Sequence, residues 1–195
     1  CILSFIFFYF SLMNPRTFIF YGISGSGKGT QAEMLKSRLE KEDAERETLY
    51  LSTGKNLRQF SESGSYTSER VKEVLDNGGL LPPFLPIWVW TDWLINNFDG
   101  TKNLIFDGLA RRVEEAPILA DTLSFYGFKN SYVILLTLSR EEARRRLKER
   151  GRSDDGDKDI ERRLDWFESD VMPAVNFFRN AHGFHFLEID GERTP

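Results

Sequence analysis

Hydrophobic and polar positions fall into two alternating patterns along this chain. Short, nearly continuous apolar runs occupy 17–21 (TFIFY), 48–52 (TLYLS), 103–107 (NLIFD), 131–138 (SYVILLTL) and 184–189 (FHFLEI). Runs of that length, rich in β-branched and aromatic residues, predict strands buried on both faces. Between them the apolar residues recur at helical spacing, as Ala32, Leu35 and Leu39 do within 30–41. The same spacing predicts helices within 54–98 and over 112–125, 139–150 and 158–180, the last with a stripe of Ile160, Leu164, Phe167, Val171, Val175 and Phe178. Strands alternating with helices predict a three-layer α/β/α fold around a five-stranded parallel sheet. The interval from Ser52 to Asn103 is longer than one crossover needs, so it predicts an inserted helical arm. Within it Ile87, Trp90, Leu94 and Phe98 keep helical spacing, which assigns the tryptophans to the core and not to a base-stacking platform.

The junction between the first strand and the first helix carries the chemistry. It reads GISGSGKGT over 22–30. Gly22, Gly27 and Lys28 keep the G-x-x-x-x-G-K spacing of a phosphate-binding loop, in which glycines let the backbone approach the ligand and Lys adds a mobile positive charge. The hydroxyl that normally follows the lysine comes one place late, because Gly29 precedes Thr30. Strand, glycine loop and helix together aim bare N–H groups at a phosphate.

Composition narrows the class. The chain has 195 residues, 41% hydrophobic and 29% charged, which suits one globular domain with a substantial core. A net charge of −4 supplies no basic field for a nucleic acid polymer. The single cysteine, Cys1, allows no internal disulfide and fits a reducing, cytoplasmic setting. His182 and His185 make no metal pattern and read as strand-edge residues. Residues 1–12 (CILSFIFFYFSL) are too short an apolar run to span a bilayer and lack a basic n-region, so they read as a leader outside a domain covering 13–195. At the other end the last strand and the turn DGERTP are followed by no closing helix.

Five motifs in order, GISGSGKGTQ, LSTGKNLR, GGLLP, FDGLARR and RRLKERGRSDD with IERRL, resemble the adenylate kinase family of nucleoside monophosphate kinases, from Met13 to Pro195. Gly-Lys-Gly-Thr-Gln is that family's way of writing its P-loop, which accounts for the late hydroxyl. The resemblance implies a monomeric ATP:AMP phosphotransferase with a nucleotide-binding arm over about 54–82 and a minimal lid over about 147–155. It places Gly25, Ser26, Gly27, Lys28, Gly29 and Thr30 on the ATP phosphates, and Thr53, Arg58, Gly79, Leu80, Leu81, Gly108, Arg111 and Glu115 on the acceptor nucleotide. Asp107 would hold Mg²⁺ through water, Arg146 and the backbone near Arg193 would lie by the ATP base, and Arg150, Arg152 and Arg163 would grip phosphates. Lys28, Arg111, Arg152 and Arg163 would be catalytic. The residue types suit the task, since phosphoryl transfer asks mainly for positioning and charge stabilisation, and guanidinium groups hold phosphates bidentately.

Plainer readings stand beside these. Arg144, Arg145 and Lys148 fit a solvated helix face with i,i+4 ion pairs. Thr53 could cap a helix, as could Asp154 or Asp155. The sequence also departs from the family. Leu109 and Ala110 replace the Phe-Pro of DGFPR, Lys55 stands where STGD has an acid, and Glu115 stands where Gln is usual. Only Gly151 separates Arg150 from Arg152, which leaves no room for a zinc-binding lid insert. Thr53 favours AMP as acceptor. Glu115 leans towards another monophosphate, since a carboxylate satisfies two guanine donors, unless it points to solvent beside Glu114. A same-fold kinase acting on GMP, UMP or CMP, or a nucleotide-binding module without turnover, are the rival functions.

Overall fold

The structure is a computed structural model that describes residues 15–129, 131–151 and 156–192. The leader, Arg152 to Asp155 of the expected lid, and Arg193 lie outside the described residues. Five strands form one sheet: β1 (Thr17–Gly22), β2 (Thr48–Ser52), β3 (Asn103–Asp107), β4 (Ser131–Thr137) and β5 (Phe184–Asp190). Their order is β2-β3-β1-β4-β5, and every neighbouring pair is parallel.

The alternation of side chains along each strand builds two cores. Ile19, Tyr21, Leu104, Phe106, Val133 and Leu135 join a cluster with Trp90 and Leu94 of α4 (Phe84–Asn97), Leu119 and Leu123 of α5 (Glu115–Phe125), and Val175 and Phe178 of α8 (Met172–Asn180). Phe18, Phe20, Ile105, Ile134 and Leu136 meet Ala32 and Leu39 of α1 (Lys28–Glu42). With both faces covered, a central strand needs to be apolar throughout, and β1 is buried at all six positions. The edge strand β5 departs from the expected burial on both faces, since Leu187 and Ile189 are exposed.

Two smaller cores flank the sheet. After β2 the chain forms α2 (Thr53–Ser61) and α3 (Tyr66–Asp76), and Leu57, Val71, Leu81, Leu85 and Val89 pack together there. Helix α3 starts on a reciprocal cap, with Ser68 N–H donating to Ser65 Oγ at 3.1 Å and Ser65 N–H to Ser68 Oγ at 2.8 Å. Beyond β4, α6 (Arg140–Arg150) and α7 (Asp157–Trp166) share Ala143, Leu147, Ile160 and Leu164 with Ile23.

Two prolines shape the helices read from the pattern, one by moving a boundary and one by changing a turn. A helix from 112 would need a Pro117 N–H to reach the carbonyl of residue 113, so α5 begins at Glu115 and keeps the proline in its first turn. The helix expected over 158–180 runs unbroken from Asp157 to Asn180, but it is not α-helical throughout. It divides into α7, a π-helical turn over Phe167–Val171, and α8 with Pro173 in its first turn. Pro173 has no N–H for the carbonyl four residues back, and the wider turn absorbs the lost bond. The core assignment fits Trp90, which is fully buried, and Trp93, packed on its edge. Trp88 lies outside the Ile87–Trp90–Leu94 stripe; it is exposed and meets Phe60 edge-on at 5.2 Å.

Candidate active site

From β1 the chain passes through α1 to β2 on one side of the sheet, and from β3 through α5 to β4 on the other. The connections thus diverge at the C-terminal ends of β1 and β3, where an open parallel sheet leaves a crevice for ligand. A cleft of about 1000 Å³ lies there.

Its floor is the glycine loop. A β-carbon on Gly22, at φ 150°, would come within 2.7 Å of the Leu136 carbonyl oxygen, so the loop can pass close to β4 only without a side chain there. Gly25, Gly27, Lys28, Gly29 and Thr30 line the cleft, while Ser26 is buried inside the loop. Lys28 Nζ is folded back, donating to the carbonyls of Gly22 at 2.7 Å and Ile23 at 3.0 Å. Burial lowers its pKa to about 8, against the pull of Asp107 and with the help of Arg111 and Arg150. This is a cation held partly desolvated beside a helix N-terminus, which an incoming phosphate would satisfy.

Asp107 ends β3, opposite Phe20 of β1 and Ser52 of β2 in the sheet register. Tyr50 Oη donates to its Oδ2 at 3.2 Å. Burial and the neighbouring carboxylate raise the Tyr50 pKa, which keeps the phenol protonated as a donor. Among the described residues no three His, Cys, Asp or Glu side chains gather to hold a metal ion. One carboxylate facing a phosphate loop does fit Mg²⁺, which usually takes one or two carboxylates together with substrate phosphates and water.

The arm supplies the opposite wall. Arg58, Gly79, Leu80 and Leu81 line the cleft with Gly108 and Arg111. A β-carbon on Gly54 would lie 3.5 Å from a guanidinium nitrogen of Arg58 and 3.8 Å from one of Arg111, so two arginines converge at the start of α2. Arg111 Nε donates to the Gly108 carbonyl at 3.0 Å, and its guanidinium stands 5.7 Å from the centre of the Trp166 ring. A side chain at Gly108, where φ is 74°, would run into that guanidinium. Next to Arg111, buried Ala110 sits at φ 46°, a conformation closed to the proline of the DGFPR pattern. Its carbonyl accepts from Tyr21 Oη at 3.1 Å.

Thr53 is buried as the first residue of α2, after the N-cap Ser52. Its Oγ1 makes no cap bond and has no partner among the described residues. Glu115 is 2% exposed, whereas Glu114 faces solvent. Its Oε1 accepts from the Arg112 N–H at 3.3 Å, and Oε2 is buried with no partner among the described residues. Burial raises its pKa to about 7, opposed by Arg111, the local N–H groups and Arg112.

On the lid side Arg146, Arg150 and Arg163 line the cleft. Arg146 Nε pairs with Glu142 at 2.6 Å, and its Nη2 donates to the Glu192 carbonyl at 3.3 Å. Arg163 is 8% exposed and donates to the Asp159 carbonyl at 3.3 Å. The ion-pair reading of α6 needs adjustment. Arg145 pairs within the helix with Glu142 and Glu149 and also lines the cleft, whereas Arg144 reaches Glu161 at 2.6 Å and Lys148 reaches Asp157 at 2.7 Å, both on α7.

The pattern missed Tyr50 and Trp166. Tyr50 shares a strand face with Ser52, the register partner of Asp107, and that alternation was the one available signal. Trp166 lies off the Ile160–Leu164–Phe167 stripe. Its Nε1–H donates to the Gly78 carbonyl at 3.0 Å, and Arg162 donates to the Asn77 carbonyl, so α7 is tied to the end of the arm.

Comparison with known proteins agrees with this arrangement. The family model described as adenylate kinase matches residues 20–183. Adenylate kinase of Phocaeicola vulgatus is 32% identical over 173 residues, covering 87% of each chain. Adenylate kinase of Thermus thermophilus is 34% identical over 181 residues, covering 91% of this chain and 89% of its own. Adenylate kinase 1 of a Nostoc species is 30% identical over 176 residues, covering 90% of each. With a family model spanning most of the chain, and relatives of that identity matched over most of both lengths, the chain belongs to the adenylate kinase family.

Proposed function

We propose that this cleft transfers the terminal phosphate of ATP to AMP, forming ADP from both nucleotides. The observation that carries the reading is the convergence of Lys28, Asp107, Arg58, Arg111, Arg150 and Arg163, from separate parts of the chain, on one cleft. So many cations on one cleft suit two phosphate chains brought end to end. The glycine loop and the N-terminus of α1 bind the donor phosphates, and Lys28 exchanges the Gly22 and Ile23 carbonyls for phosphate oxygens. Arg58 and Arg111 hold the acceptor phosphate. Arg150 and Arg163 offset the charge of the group in flight, with Arg152 in the same role in the lid.

Asp107, oriented by Tyr50, would hold through water a Mg²⁺ whose charge neutralises the ATP phosphates. The arm and lid exclude water, which would otherwise compete with AMP as acceptor. The direct test is ADP formation from ATP–Mg²⁺ with AMP, GMP, UMP, CMP and dTMP in turn, near neutral pH. AMP is expected to be the best acceptor; equal rates with all five, or none with any, would overturn the reading.

A further inference from the structure

We propose that Glu115 reads the acceptor base in two protonation states, so that the preference for AMP over GMP weakens as pH rises. The proposal rests on the acceptor-site reading above and deepens it.

Two residues that line the cleft, Glu115 and Thr53, each bury a polar atom that lacks a partner among the described residues, Oε2 and Oγ1. Burying such atoms unpaired is costly, so a site lined by them is built for a ligand with a polar edge. The same cleft has apolar walls in Leu57, Leu81 and Pro86. Apolar walls with a few convergent polar groups suit a flat heteroaromatic ring. Arg111 interacts with Glu115 and also approaches Gly54, next to Thr53, so the candidate base contacts lie beside the phosphate grip.

The chemistry then turns on one proton. A neutral carboxylic acid presents one O–H donor and one carbonyl acceptor, the pattern that adenine N1 and its 6-amino group require. An ionised carboxylate presents acceptors only, which match guanine N1–H and its 2-amino group and oppose the adenine N1 lone pair. Oε1 already accepts the Arg112 N–H and keeps a second lone pair for the base. The unpartnered Oε2 is free to donate or accept.

The surroundings leave both states accessible. Burial pushes the carboxyl up to about 7, while Arg111 and Arg112 pull it down. Arg112 is itself paired with Asp170 at 3.0 Å. Tyr21 of β1 faces Glu115 with a phenol pKa raised by burial, so it stays neutral. Asp107 and Arg163 act on Arg111 with opposite signs, and Arg58 enters from the arm. Below the Glu115 pKa the acid form favours adenine; above it the carboxylate favours guanine.

Binding tests this without requiring turnover. Dissociation constants for AMP and for GMP are measured by titration calorimetry on the full chain at pH ~6 and pH ~8.5, on either side of the shifted carboxyl. Protonation of the two nucleotide phosphates cancels in the AMP-to-GMP ratio. The AMP preference is expected to fall by about fivefold or more over that range, the scale of one hydrogen bond. In buffers of different ionisation enthalpy, AMP should then bind with more protons taken up than GMP near pH 7. Glu115→Gln should give a flat ratio, raised towards AMP at the higher pH, with no difference in protons. A parent ratio constant within about twofold overturns the proposal, and so does a pH dependence that survives in Glu115→Gln. Glu115→Ala serves as a second variant, in which the pH dependence must also vanish. Normal AMP binding with no ADP formed would instead mark a failure of the phosphotransfer reading alone.

Discussion

Lys28 shows how one residue stores binding capacity before ligand arrives. Its ammonium is held by two loop carbonyls while burial drives its pKa down to about 8. ATP phosphates favour the charged form, so above that pKa binding must take up a proton. ATP affinity should therefore fall as pH rises through about 8, approaching tenfold per pH unit, and Lys28→Met should bind weakly with no such dependence. Titrations with ATP from pH ~7 to pH ~9.5 decide this, and a parent affinity flat over that range would contradict it. At this scale the glycine loop, Asp107 and Arg111 were legible because each belongs to a motif with a physical reason for its spacing. Glu115 was marked by its place after Arg111, where the family usually has Gln, but whether it is buried or faces solvent was not legible, since Glu114 and Glu115 look alike in sequence and burial separates them. Tyr50 and Trp166 were hidden for another reason: a single aromatic carries no spacing, and their roles arise from long-range contacts to Asp107 and Gly78.

At the scale of elements the strands were the legible part. A short apolar run between turn residues has few alternatives, and each observed strand lies within one residue of its run at either end. The helices were harder, because periodicity reports which face is apolar and neither where a helix starts nor which kind of turn it makes. The stripe from Ile160 to Phe178 crosses the π turn unmarked, and half of it serves the lid-side core while the rest serves the sheet. The α6–α7 pair divides its cations by face. Arg144 of α6 pairs with Glu161 of α7 where solvent screens the attraction, while buried Arg163 of α7 lines the cleft. Arg144→Ala should leave kcat/KM within about twofold, whereas Arg163→Ala should lower it by roughly 10²-fold or more while remaining folded. Equal losses in the two variants, measured by coupled ADP formation, would erase that division.

On the scale of the whole molecule, three bodies meet at the cleft: the sheet with its two faces, the arm around Leu57 and Val71, and the α6–α7 pair around Leu147 and Ile160. The arm and α7 touch through Asn77 and Gly78 with Arg162 and Trp166. Each body brings cations that, in the proposed reaction, act on a different part of two phosphate chains, so the function belongs to their assembly and to none alone. The measurement that tests this most directly follows the phosphate itself. ATP labelled in its γ-phosphate is mixed with AMP, Mg²⁺ and the full chain. The label should appear in the β-phosphate of ADP formed from AMP, and the rate should drop by roughly 10³-fold in both Lys28→Ala and Arg111→Ala. Label released as inorganic phosphate, or transfer that survives in either variant within about tenfold of the parent, would contradict the account.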